Sequence, residues 1–309
     1  MKAVLVNKPN KSVFRSTLLL ATVSTTLMLT TACGKKQADA NSDSVSSSEA
    51  VVESSINTVG SFLDDQSGAN YAVYSSQKSV NIWESLLGSS AYAASCLRPY
   101  FSTCQNGVKS ETYQDCQIGA SNKTLSGTIT LSYSHMSCSL ATDGDTVTRT
   151  FDITVSGPRG GVLTKSSAVH ADYKGDSYGG GGKITKTSAG YNLEFLGKNL
   201  ALTKNNKSLF DVSVRTLSPL QITGGLSRSQ RRISNGSLEV NHNLAKFTSV
   251  ITAQDLQWDN SCCHPISGSL SITYSGSRTG TSSVQFNGCD TANLQEDGQT
   301  RQIEFSYCE

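Results

Sequence analysis

The stretch Ser269-Leu270-Ser271-Ile272-Thr273-Tyr274-Ser275 decides the fold class. Apolar side chains alternate with hydroxyls at every second position. A period of two puts Leu270, Ile272 and Tyr274 on one face of an extended strand and the hydroxyls on the other. The same beat recurs at Ile129, Leu131 and Tyr133, and at Val147, Phe151, Ile153 and Val155. It returns at Phe210, Val212 and Val214, at Leu238 and Val240, at Val284 and Phe286, and at Ile303, Phe305 and Tyr307. One apolar face and one Ser/Thr-rich face describe antiparallel sheet with one side on a core and the other in water. Turn signals separate the runs: Asp143-Gly144, Gly157-Pro158, Gly160-Gly161, Gly179 to Gly182, Asn205-Asn206, Asn235-Gly236 and Asp297-Gly298. Ten or more short strands from about residue 125 onward predict an all-β fold: an antiparallel sandwich, an open barrel or a long meander. A transmembrane barrel would need longer apolar strands and aromatic girdles, and only 7 % of residues are aromatic.

Composition narrows the function classes. The chain has 309 residues, 37 % hydrophobic and 16 % charged, with 49 Ser and 30 Thr. The formal net charge is +2, too weak a field for a nucleic-acid-binding surface. No apolar run of about 20 residues follows the N-terminal segment, so no internal transmembrane helix is predicted.

That segment reads as an export signal. Lys2, Lys8, Lys11 and Arg15 precede an apolar run over 16–32, which ends in a small residue before Cys33. Leu29-Thr30-Thr31-Ala32-Cys33-Gly34 resembles the lipobox of bacterial lipoproteins, although Thr30 stands where that family prefers Leu. The resemblance implies cleavage before Cys33, a diacylglycerol on its sulfur and a fatty acyl chain such as palmitate on its amino group. Two or more buried chains hold a protein durably at a bilayer. Gly34 in place of Asp resembles an outer-membrane address. Ordinary cleavage after Ala32 without a lipid is the competing reading. Cleavage leaves 22 Lys and Arg against 24 acids, a net charge of −2.

Nine cysteines are present: Cys33, Cys96, Cys104, Cys116, Cys138, Cys262, Cys263, Cys289 and Cys308. With Cys33 lipidated, eight remain, an even number that in an exported chain points to disulfides. They fall into two groups, 96–138 and 262–308, and pairing is expected within each. Cys262 and Cys263 point to opposite sides of an extended strand, so they should bond to different partners, with Cys289 and Cys308 as the candidates. The alternative is a metal site built on Cys262-Cys263-His264 with His242, Cys289 and Cys308. Adjacent cysteines reach one metal poorly compared with CxxC spacing, so no metal is assigned. The tail from Cys262-Cys263-His264-Pro265 to Cys308 resembles uncharacterised cysteine-bearing β-rich lipoproteins of predatory and related Gram-negative bacteria, which implies no particular activity.

Residues 1–32 are read as the signal peptide and 33–48 as the lipidated cysteine with a polar, disordered tether. Residues 49–92 are read as a helical segment and 93–309 as a β-rich disulfide-stabilised domain. Val52, Ile56, Val59 and Leu63 recur at i, i+4, i+7 and i+11, predicting a helix over 49–65. A second helix is expected over 77–88, with Val80, Trp83 and Leu87 on one face. These helices either pack against the body or lie on a membrane surface; they lack the Lys/Arg-rich face of membrane-surface helices.

Catalytic signals are weak. Gly175-Asp176-Ser177-Tyr178-Gly179 has GxSxG spacing, but a nucleophile elbow needs a helix after it and this chain continues Gly180-Gly181-Gly182. His170 is the nearest base. Gly182-Lys183 lacks the following Ser/Thr of a phosphate-binding loop. Asp143-Gly144-Asp145 has too few acids around it for calcium. Arg228, Arg231 and Arg232 read as solvated hairpin charge. No catalytic residue and no cofactor is assigned. The expectation is a lipid-anchored cell-envelope protein, structural, adhesive or ligand-binding. Its partners would be the membrane, through the lipid, and an envelope protein or polysaccharide, with no nucleic acid. An envelope hydrolase and a lipid or lipoprotein carrier remain as alternatives.

Overall fold

The alternating runs form one large antiparallel sheet in the computed structural model, which describes residues 51–52, 55–56, 59, 103–118, 123–262 and 264–305. Its strands are β1 (Val108–Ile118), β2 (Lys123–Tyr133), β3 (Thr146–Ser156), β4 (Gly161–Ser166), β5 (His170–Ala171), β6 (Ser177–Tyr178), β7 (Gly181–Thr187) and β8 (Gly190–Lys204). They continue as β9 (Lys207–Gly224), β10 (Arg231–His242), β11 (Phe247–Gln257), β12 (Ser267–Gly276), β13 (Gly280–Gly288), β14 (Thr291–Glu296) and β15 (Gln299–Glu304). The sheet runs β1-β2-β3-β4-β8 and then in sequence order to β15, while β5 and β6 pair only with each other. The all-β expectation holds, and the strand order is that of an antiparallel meander.

One irregularity interrupts the meander. β3 pairs β4 through its second half and β7 through its first half. β8 does the same from the other side. β4 and β7 therefore lie end to end in one place between β3 and β8. At the break, the Ser167 hydroxyl accepts the Phe151 N–H at 2.8 Å and donates to the Phe151 carbonyl at 2.9 Å, standing in for strand pairing. Residues 168–180 leave the sheet here as an excursion carrying the β5–β6 hairpin.

The apolar positions of the alternation share one face and one core. Leu131, Val147, Ile184, Leu193, Leu202, Val212, Ile251, Ile272, Val284 and Leu294 are all buried in it. Ile129, Phe151 and Ile153 continue the face as a smaller cluster toward β1. Val51, Val52, Ser55, Ile56 and Val59 are helical and buried, and Ile56 and Val59 face Leu238, Ile251 and Trp258. The i, i+4, i+7 stripe thus joins the sheet core. The helix expected over 77–88, the tether and the signal segment lie outside the described residues.

Along the described sheet path the outermost strands carry charge. On β1, Lys109 and Glu111 stand opposite Leu131 and Ile129 and so point toward the apolar face, a device that discourages further strand addition. Arg301 on β15 stands opposite Leu294.

One turn reading changes. Asn205-Asn206 and Asp297-Gly298 do turn, with positive φ at all four residues. Asn235-Gly236 does not: it is a bulge inside β10, where the register against β9 shifts. Gly236 has φ +135°, and a Cβ there would stand 2.6 Å from Leu220 Cα, so the glycine serves a close backbone approach. The arginine trio also divides. Arg231 is buried, donates to the Leu226 carbonyl at 2.6 Å and lies over the Trp258 ring. Arg228 is buried as well, and only Arg232 is solvated, paired with Asp255 at 2.9 Å.

Disulfides staple the loops. Cys104 is bonded to Cys138, and Cys262, in the β11–β12 connection, is bonded to Cys289, in the β13–β14 connection. Cys116 is disulfide-bonded too. Cys33, Cys96, Cys263 and Cys308 lie outside the described residues.

Candidate functional site

The face turned away from the core holds two polar assemblies built on the same strands. The first lies under the excursion. Asp172, at the hairpin, has its Oδ1 accepting the N–H groups of Lys174 at 2.8 Å and Asp176 at 3.0 Å. Its Oδ2 accepts the Tyr178 hydroxyl at 3.0 Å. From the sheet below, Glu239 on β10 accepts Arg215 Nε at 3.1 Å, Asn241 Nδ2 at 3.0 Å and Lys174 Nζ at 3.3 Å, all through Oε1. Asn241 also donates to the Tyr178 oxygen, and its own oxygen accepts the Thr248 hydroxyl at 2.6 Å. Asn243 and Asn199 both donate to Asp211 at 2.9 Å, and His170 Nε2 lies 3.6 Å from that carboxylate.

Electrostatics follow from this packing. Burial disfavours the Glu239 carboxylate, but the Asn241 amide, the Arg215 guanidinium and the Lys174 ammonium outweigh it and hold its pKa below the usual range. Burial and the neighbouring Asp172 push the Tyr178 hydroxyl well above its ordinary value. Tyr178 therefore remains a neutral donor. Both carboxylates are engaged by fixed donors from hairpin and sheet, so the assembly acts as a clamp that holds the excursion on the sheet.

The second assembly lies further along the same face and is open to solvent. The register aligns Asn192, Gln221, Asn235, Gln254, Ser269, Gln285, Asn293 and Gln302 in one row across β8 to β15. The adjacent row holds Ser218, Ser237, Thr252, Ser271, Ser283, Gln295 and Thr300 across β9 to β15. Every member is an uncharged hydroxyl or amide. Two adjoining surface grooves follow these rows over β10 to β14 and share Ser271 and Ser283, and the second ends at Glu296, which is paired with Arg278, and at Asp297. Solvated sheet faces ordinarily carry mixed Lys, Glu and Thr; a neutral surface this wide calls for a reason.

The residues singled out in the sequence are mostly engaged elsewhere. Cys262 and Cys289 are joined to each other rather than to a metal-ligand set. His264 is fully buried, its Nδ1 sharing a hydrogen bond of 2.7 Å with Asp290 and its ring against Phe305. Ser177 is exposed on β6, followed by strand and glycine rather than helix, and it pairs with Ala171 while His170 pairs with Tyr178. Alternation along the hairpin sends the Ser177 and His170 side chains to opposite faces, so no nucleophile–base pair forms. Gly182-Lys183 opens β7. Asp145 accepts the Thr142 N–H at 2.8 Å and closes a turn.

Between Ser55, Ile56 and Val59 on the helix and Leu220, Leu238, Ile251 and Trp258 on the sheet lies an apolar void of about 20 Å³. Among the described residues, that holds one water-sized sphere.

Sequence reasoning found the Ser/Thr face but not the amides in it. Gln254, Gln285, Asn293 and Gln302 carry the row, and the signal was their spacing in phase with the hydroxyls. Comparison of the chain with family models, curated proteins and solved structures finds no match.

Proposed function

We propose that the chain is a lipid-anchored protein of the bacterial cell envelope, at the outer membrane, with a ligand-binding and adhesive role. The observation that carries the binding role is the neutral hydroxyl–amide face of β8 to β15, set on a sheet stapled by disulfides. The anchor is supported by the Thr31-Ala32-Cys33-Gly34 junction behind a cationic and apolar segment.

Two measurements test this reading. Labelled palmitate should enter the wild-type protein in cells, and Cys33→Ala should lose the label; a Cys33→Ala protein that still takes up the label, or a wild type that does not, contradicts lipid anchoring. A purified lipid-free form beginning at Gly34 should sediment with isolated cell envelopes, and the same form carrying Ser271→Arg/Ser283→Arg should not. Equal sedimentation of the two removes the binding face from the proposal.

A further inference from the structure

We infer that the trough across β10 to β14 takes an uncharged polysaccharide, laid across the strands. This rests on the ligand-binding reading above and names the ligand's chemistry.

The floor of the trough excludes the other macromolecules. A nucleic acid or an acidic polymer needs Lys or Arg to neutralise it, and the two rows contain neither. An anionic membrane surface needs cations or exposed apolar side chains; the apolar residues beneath the grooves, Leu270 and Val284, are buried in the core. Protein interfaces centre on aromatic side chains, Met and Arg, and the rows hold none of these either.

What remains fits a chain of hydroxyls. Asn and Gln each offer two donors and an acceptor, and Ser and Thr each offer one donor and an acceptor. Sugar hydroxyls are donors and acceptors at once, so either partner can fill either role. Part of each row is engaged within the sheet, as Ser218 pairs with Ser237, Ser283 donates to Gln295 and Gln285 donates to the Gly268 carbonyl, and part is available. Among the described residues, the side chains of Thr252, Gln254, Ser271, Thr273 and Asn293 make no hydrogen bond to another side chain or to the backbone. Neighbouring strands lie about 4.8 Å apart, comparable to one sugar repeat, so a chain crossing the strands meets a fresh donor–acceptor pair at every step. With no aromatic platform, each sugar is held by hydrogen bonds alone. Affinity must then grow with the number of strands crossed, by multivalency.

The test is native affinity electrophoresis of the full mature protein in gels containing dextran, a β-glucan, a mannan or alginate. At least one neutral polymer should retard the protein, its short oligosaccharides should compete poorly, and acidic alginate should not retard it. Ser271→Arg/Ser283→Arg should weaken retardation about 10-fold, the loss of one or two hydrogen bonds. Thr203→Arg, outside the trough, should not, and melting curves confirm that all variants are folded. Retardation by alginate equal to that by the neutral polymers overturns the inference. So does retardation that the double variant leaves intact. If no neutral polymer acts while wild-type sedimentation with envelopes persists and is abolished by protease treatment of the envelopes, the ligand is a protein. The inference then fails while the binding reading survives.

Discussion

Gly179 and Gly197 meet backbone to backbone: a Cβ placed on Gly197 would stand 2.3 Å from the Gly179 amide nitrogen. The contact seats the excursion on β8 with no side chain between them. Gly197→Ala must therefore push the excursion outward or strain β8. Overpacking of this kind costs about 1–3 kcal/mol. Urea unfolding should show the midpoint fall with an unchanged slope, and amides of 168–180 should exchange faster. A wild-type midpoint would mean that the excursion does not rest on β8 in solution.

Tyr178 is the pin of the clamp, since its hydroxyl bridges Asp172 on the hairpin and Asn241 on the sheet. Tyr178→Phe removes both hydrogen bonds and leaves a carboxylate oxygen and an amide donor short of a partner. The expected loss is about 1–3 kcal/mol. Glu239→Gln removes the charge that Lys174 and Arg215 share, but both cations are a third exposed and regain water, so its cost should sit at the lower end. A double-mutant cycle with Asn241→Ala reads the coupling. Additive losses would show that the bridge is not cooperative.

The sheet was legible in the sequence because burial on one face imposes a period of two, and Leu270, Ile272 and Tyr274 carry it without interruption. Helical Val52, Ile56 and Val59 were legible for the same reason at another period. The excursion was not. Gly179 to Gly182 look like a turn, and nothing local tells a turn glycine from one that admits a neighbouring backbone. Asn235-Gly236 misleads likewise, because a bulge and a hairpin turn ask for the same backbone freedom. Nothing local marks Arg231 as buried, since its burial depends on Leu226 and Trp258, which only the tertiary fold brings beside it. The trough escaped because its members lie on five strands and meet only through the register.

The Cys262–Cys289 bridge closes a loop with a sequence separation of 27 residues. It joins two connections at one end of β12 and β13, so its main effect is to restrict the unfolded chain. Cys289→Ser should lower stability by about 3–4 kcal/mol. The loss should appear as a lower melting temperature under oxidising conditions, and adding a reductant should bring the wild type toward the variant. Equal melting of the two without reductant would show that this bridge does not form in the native protein.

His242 sets the acid limit of stability. Its ring stacks on Phe247 at 4.1 Å, and its Nε2 finds no hydrogen-bond partner among the described residues. Burial, with the Arg278 guanidinium nearby, pushes its pKa down from 6.5 to about 3. The folded state therefore disfavours the imidazolium, whereas the unfolded chain takes up the proton as pH falls through 6.5. The unfolded state binds more protons across this window, so stability rises with pH through it. It should be complete above 6.5 and fall by about 1.4 kcal/mol per unit from there toward 3. Glu239, with its lowered pKa, adds a further loss only below about 4.5. His242→Phe keeps the stacked ring and removes the titration. At pH 5 the variant should gain about 2 kcal/mol relative to wild type, compared with its difference at pH 8. Parallel pH–stability curves for the two proteins would show that His242 is charged, or solvated, in the folded state.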